Sequence, residues 1–228
     1  MSPLVINREP KSASAEAYKT LRTNIQFSTI DSDVKTLLVT SPGPGEGKSI
    51  TAANLAISMS QIGKKVLLID CDMRRPSVHK MFDISNEVGL TNILKEEFNF
   101  EKVVYKASSN FSILTCGTIP QNPSEVMASR RMKKFLQDAE NEFDFIILDT
   151  PPIIAVTDAQ ILSTMVEGVL MVINSTVTSI EACKKAKSLL KAVNANIIGV
   201  VLNKVKTKKD SYYGYYEEET KKKKKKVK

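Results

Sequence analysis

The 228 residues suffice for one α/β domain with a sizeable core, and 42% hydrophobic with 25% charged content is ordinary for a globular chain. The net charge of +8 suggests nucleic acid until it is located: residues 203–228 carry eleven lysines against four acids, a balance of +7, which leaves 22 basic and 21 acidic residues elsewhere. A neutral body excludes a broad nucleic-acid-binding face, and no apolar run approaches the roughly 18 residues a membrane-spanning helix needs.

No signal-peptide pattern opens the chain, so the expected setting is cytoplasmic, with membrane contact only through a partner or the basic tail. Cys71, Cys116 and Cys183 are widely spaced, show no metal-ligand pattern, and read as reduced thiols.

Residues 1–12 are expected to be extended or mobile. Residues 13–28, "ASAEAYKTLRTNIQFS", predict an outlying helix with Ala17, Leu21 and Ile25 on one face. Glu16, Lys19 and Arg22 step along its other side, as an interface or as simple surface charges. Apolar runs at 34–40, 65–70, 111–116, 143–149, 168–174 and 196–203 are nearly continuous, the pattern of parallel strands buried on both faces. Helical patterns at 49–62, 124–140, 158–166 and 179–193 lie between them, the last opened by Thr178 and Glu181 in capping-box spacing. This alternation predicts a doubly wound, mostly parallel α/β sheet in a single domain. The expected division is an N-terminal segment (1–30), a body (31–205) and a polar, lysine-rich tail (206–228) whose composition is that of disorder.

The stretch "VTSPGPGEGKSITAANLA" places three of nine glycines within five residues, between a buried strand and an alanine-rich helix. A turn of this kind aims backbone N–H groups and a helix N-terminus at an anion. Glycines at 43, 45 and 47 allow positive φ and leave no Cβ in the way of phosphate. Lys48 is placed to reach β- and γ-phosphates and the Ser49 hydroxyl to bind Mg²⁺. The phosphate-loop pattern is imperfect, because Pro42 stands where its first glycine belongs. Glu46 reads equally as solvent-facing or functional.

Two further strands end in acids: "KVLLIDCDMRRP" in Asp70 and Asp72, "FDFIILDTPP" in Asp149. Ligands gather at the carboxyl ends of parallel strands, so these acids are expected to converge near Lys48 and Ser49. Singly, each reads as well as a helix cap. Clustered, they suit a metal site with one carboxylate accepting a proton. The His-Arg-Asp and Asp-Phe-Gly signatures of eukaryote-like kinases are absent, and His79 is expected to be structural.

Taken together, "SPGPGEGKS", "LLIDCDMRRP", "FIILDTPP", "GTIPQNPSE" (117–125) and a terminal tyrosine cluster resemble the bacterial tyrosine kinases, across essentially the whole chain. The resemblance implies a P-loop fold with Walker A, A′ and B segments, the cofactors ATP and Mg²⁺, and transfer of phosphate to tyrosine. It implies nucleotide contacts from Gly43, Pro44, Gly45, Glu46, Gly47, Lys48, Ser49 and Ile50, and adenine contact from Asn203. Asp72 and Asp149 would complete the metal shell with Ser49, and Asp70 would be the base. The helix at 13–28 resembles the family's Glu-x-x-Arg-x-x-Arg ring interface, with Lys19 in place of the middle arginine and its bidentate fork. The short form resembles the separate cytoplasmic kinases of Gram-positive bacteria. That likeness implies a transmembrane activator, recruitment to the inner membrane face, an opposing tyrosine phosphatase, and a setting in capsule or exopolysaccharide synthesis.

Tyr212, Tyr213, Tyr215 and Tyr216 are four of the six tyrosines, followed by acids at 217–219. They read as an interaction patch or as substrate; the resemblance favours substrate, phosphorylated in trans. Lys221–Lys226 reads as a solvated tail, a lipid anchor or a polyanion contact. The alternative function is a partitioning or cell-division-site ATPase. That class carries a signature lysine five residues before the main one, where this chain has Gly43.

Overall fold

The structure is a computed structural model that describes residues 4–28 and 34–205. The tyrosine cluster and the lysine run lie outside the described residues. Seven strands form one sheet in the order β3-β4-β2-β5-β1-β6-β7. They are β1 (Thr36–Thr40), β2 (Val66–Asp70), β3 (Tyr105–Ser108), β4 (Phe111–Leu114), β5 (Phe145–Asp149), β6 (Gly168–Asn174) and β7 (Ile197–Asn203). Every pairing is parallel except β3 with β4. The four central strands are buried at every residue, which is why they read as unbroken apolar runs. Helices cover both faces, as expected for a doubly wound sheet.

One face is packed by α3 (Lys48–Ser60), which lies between the sheet and the N-terminal helix α2 (Ala13–Ser28). Ala52, Ala53 and Ala56 let α3 approach closely on all sides, and the helix is buried from Thr51 to Met59. The chain before α2 also folds, in place of the extended or mobile segment expected. It forms α1 (Val5–Arg8), whose Ile6 is buried and donates its N–H to Asn54 Oδ1 at 3.2 Å. On α2 Ala15 and Ile25 are buried and Tyr18 and Leu21 pack against the same core, so Leu21 and Ile25 lie where spacing put them; Ala17, placed on that face too, is exposed. The other face is packed by α8 (Arg130–Glu142), α9 (Asp158–Ser163) and α10 (Ile180–Ala192).

Other differences from the sequence reading have local causes. The helix expected over 124–140 is two, α7 (Pro123–Met127) and α8, because Ser129 is extended and its Oγ accepts from Met132 N at 3.1 Å. The cap of α10 is Ser179, whose Oγ accepts from Ala182 N, rather than Thr178. Short helices α4 (Val78–Phe82), α5 (Leu90–Leu94) and α6 (Phe100–Val103) carry too few turns to show a period, and β3 is exposed throughout.

Candidate active site

Register brings the acids together. Asp70 and Asp149 are Cα partners at the ends of β2 and β5, and Asp149 pairs on its other side with Val39 of β1. The ladder continues past the strand ends, with Cys71 N donating to Asp149 O at 2.8 Å and Thr150 N to Val39 O at 3.1 Å. The glycine-rich loop leaves β1 beside these carboxylates. Its turn needs positive φ at Gly45 (73°) and Gly47 (96°), whereas Gly43, expected to share that conformation, is not left-handed.

Lys48, the first residue of α3, folds onto the acids. Its Nζ lies 3.0 Å from Asp72 Oδ2 and 3.4 Å from Asp149 Oδ1, and donates to Ser49 Oγ at 3.1 Å. Burial works against its charge, but Asp149 and Asp72 outweigh burial and hold the ammonium above its usual range. Asp149 is fully buried, which pushes its carboxyl up; Lys48 and the Ser49 hydroxyl oppose that push. Asp70 is raised to about 7, first by burial and then by Asp149. Its oxygens accept from Asp72 N (3.2 Å), Ser77 N (2.9 Å) and Val78 N (2.9 Å), which lowers the value without restoring it.

Three carboxylates against one ammonium leave an excess of negative charge that a divalent cation would balance. The donors fit magnesium: Asp149 Oδ2 is buried without a hydrogen-bond partner among the described residues, and Ser49 and Asp72 gather round the same ammonium. Among the described residues no three His, Cys, Asp or Glu side chains could hold an ion alone. A phosphate-loop magnesium draws instead on a hydroxyl, phosphate oxygens and water.

The remaining predicted residues fall in three places. Pro44 and Ile50 are exposed at the rim of the loop. Glu46 is buried, contrary to the solvent-facing alternative, and Asn203 comes to the loop, its Nδ2 donating to Glu46 O at 2.9 Å. Glu16, Lys19 and Arg22 lie away on α2. There Lys19 pairs with Glu16 at 2.7 Å, and Arg22 Nη1 donates to Ser58 O at 2.9 Å.

Sequence reasoning missed Lys204, whose Nζ donates to Gly45 O at 3.0 Å, and the buried Asp158, bound by Arg74 and Ser124. Neither carries a motif. Cys71 and Cys116 are buried, and burial pushes the Cys116 thiol up to about 12, as inert thiols require. A cleft of about 590 Å³ between α5, α6 and α8 contains none of these residues.

The family described as "ParA: NUBPL iron-transfer P-loop NTPase" matches residues 33–226. Tyrosine-protein kinase YwqD of Bacillus subtilis is 46% identical over 208 residues, covering 91% of this chain and 88% of its own. The chain belongs to the bacterial tyrosine-kinase family of P-loop NTPases. Putative tyrosine-protein kinase CapB of Staphylococcus aureus is 39% identical over 216 residues, 94% of this chain and 95% of that protein. Among solved structures, the kinase domain of Escherichia coli tyrosine kinase ETK superposes with a TM-score of 0.87 at 32% identity, covering 92% of this chain and 83% of that one. No helix among the described residues is long and apolar enough to cross a membrane.

Proposed function

We propose that the protein is an ATP-dependent tyrosine kinase that phosphorylates Tyr212, Tyr213, Tyr215 and Tyr216 of a neighbouring copy. The observation that carries this reading is the in-register pair Asp70–Asp149 beside Lys48, with a buried oxygen of Asp149 lacking a partner among the described residues. The tyrosine oxygen forms a bond to the γ-phosphorus as the bond to the ADP oxygen breaks, and the phenolic proton passes to a carboxylate. Asp70, raised to about 7, is the acceptor we assign: near neutrality a carboxylate is basic enough to take a proton and still ionised enough to be ready. Lys48 and the loop N–H groups hold the polyphosphate. Magnesium, held by Ser49, Asp72 and Asp149, would supply charge neutralisation for the transferring group.

On this reading residues 31–205 are the catalytic body, 1–30 an interface segment and 206–228 the substrate tail. Glu16, Lys19 and Arg22 would join copies into a ring, although Lys19 and Arg22 each also bind within their own chain. Activation by the cytoplasmic segment of a transmembrane protein, recruitment to the inner membrane face, reversal by a phosphatase and control of polysaccharide synthesis are proposed from the family resemblance.

The test is incubation with Mg·ATP and an assay for phosphotyrosine, in the wild type, Lys48→Met and a variant with the four tail tyrosines changed to Phe. Phosphotyrosine is expected only in the wild type. Its persistence in Lys48→Met, or its absence from the wild type even with an activating segment supplied, removes the kinase reading. Steady ATP hydrolysis stimulated by DNA or lipid, with no phosphoprotein, favours the partition-type ATPase.

A further inference from the structure

A carboxylate inside a loop built to hold phosphate opposes the loop's own ligand, and the sequence offers no reason for Glu46. The structure supplies one. Glu46 is 4% exposed, and its two oxygens face three donors. Oε1 accepts from Gly43 N at 2.6 Å; Oε2 accepts from Asn174 N at 3.0 Å and from Thr178 Oγ1 at 2.8 Å. Asn174 ends β6 and Thr178 precedes the cap of α10, so one side chain ties the start of the loop to a turn some 130 residues on. The main chain adds to the knot: Glu46 O accepts from Asn203 at the end of β7, and Gly45 O from Lys204.

We propose that Glu46 is a positioning residue for polyphosphate binding: its carboxylate, held from behind by Thr178 and Asn174, fixes the shape of loop 43–47 before nucleotide arrives. The inference rests on the nucleotide-binding reading above and deepens it. A loop ordered in advance does not draw on binding energy for its own ordering. The bond to Gly43 N also turns that N–H into the loop, leaving the cradle to the N–H groups nearer α3. Closeness explains glycine at 43 as well, since a Cβ there would sit 3.2 Å from Glu46 Oε1. Glutamine is not an equivalent side chain here. It has one acceptor oxygen, so its NH₂ would face an N–H donor at either Gly43 or Asn174.

The test measures the Kd of a fluorescent ADP analogue with Mg²⁺ on the full chain, below every variant's melting range. Glu46→Gln and Thr178→Val are each expected to weaken binding about tenfold, the worth of one hydrogen bond to a charged group. Thr178→Ser keeps the hydroxyl and should stay within about twofold of wild type. Ser129→Ala removes a remote helix cap; it should lower the melting temperature and leave Kd unchanged. A wild-type Kd in Thr178→Val overturns the proposal, and so does an equal loss in Ser129→Ala. Failure of the wild type itself to bind nucleotide overturns the nucleotide reading first, and this inference with it.

Discussion

Two turns leave neighbouring regions of the same sheet edge and treat an anion in opposite ways. The loop after β1 has left-handed glycines at 45 and 47, and it leads into α3, whose N-terminus has no side-chain cap. The turn after β2 folds its N–H groups inward: Asp72, Ser77 and Val78 donate to Asp70, and Arg75 donates to Asp72. One turn waits for an anion from solution; the other already contains one, attached to the chain. A strand-to-helix turn at the carboxyl end of a parallel strand is an anion site by construction. Which anion fills it depends on whether an aspartate closes the strand, as at Asp70, or a Thr-Ser-Pro run does, as at Thr40.

The sharpest way to break this contrast is to remove the cation that serves the first turn. Lys48→Met is expected to lower the rate of phosphotyrosine formation by about 10²–10³-fold, the scale of losing one preorganised charged donor at a transition state. Transfer of labelled phosphate reads the effect. A loss of less than tenfold would remove the kinase reading.

The built-in anion predicts a pH dependence. Asp70 and Asp149 both have folded values above their ordinary ones, so between about 4 and 7 the folded state binds more protons than the unfolded state. The contribution of Asp70 is therefore present at the acid end and is lost as pH rises through about 7, and Asp149 acts in the same direction. Glu140 is raised and adds to this direction; His79, lowered by burial and by Lys80, works against it below its ordinary value. The melting temperature of the nucleotide-free protein should fall between pH 5.5 and 8. In Asp70→Asn that slope should flatten, although the amide NH₂ would face an N–H donor of Asp72 or of Ser77 and Val78 and so lower stability at every pH. A wild-type melting temperature that rises across the window contradicts the assignment.

A third test addresses the open turn. At Gly47 the backbone φ is 96°, and an added Cβ would lie 2.0 Å from Asn203 Nδ2. Gly47→Ala should therefore cost roughly 1–3 kcal/mol in thermal or denaturant unfolding, by backbone strain and by displacing Asn203. Gly63 is the control: it has φ of 88° but nothing within 4 Å, so Gly63→Ala should show the strain alone.

The contrast also explains what the sequence could reveal. Buried strands read as apolar runs because both faces are covered, so β1, β2, β5 and β6 were legible, and with them the acids at their ends. Lys48, Ser49, Asp70, Asp72 and Asp149 meet because strand register is set by those same runs. Short α4 to α6 and exposed β3 lacked the length or the pattern to be seen. The role of Glu46 was hidden for another reason: its partners Asn174 and Thr178 come from a distant turn, and only tertiary packing decides that a loop carboxylate points inward. Thr178 misled in a specific way, since its spacing to Glu181 fits a capping box while its hydroxyl serves the loop.

That ambiguity yields the smallest and most discriminating prediction. Ser179 and Thr178 are adjacent hydroxyls with different partners: Ser179 Oγ accepts from Ala182 N at 3.1 Å, whereas Thr178 Oγ1 donates to Glu46 Oε2 at 2.8 Å. Ser179→Ala removes the helix cap and should lower stability by about 1 kcal/mol, with little change in nucleotide affinity. If Thr178 were the cap, Ser179→Ala would be nearly silent and a substitution at 178 would carry the stability loss. Denaturant midpoints and nucleotide affinities for the two single variants separate the cases, because loss of a cap acts on α10 and leaves affinity alone, while loss of the Thr178 hydroxyl also lowers nucleotide affinity.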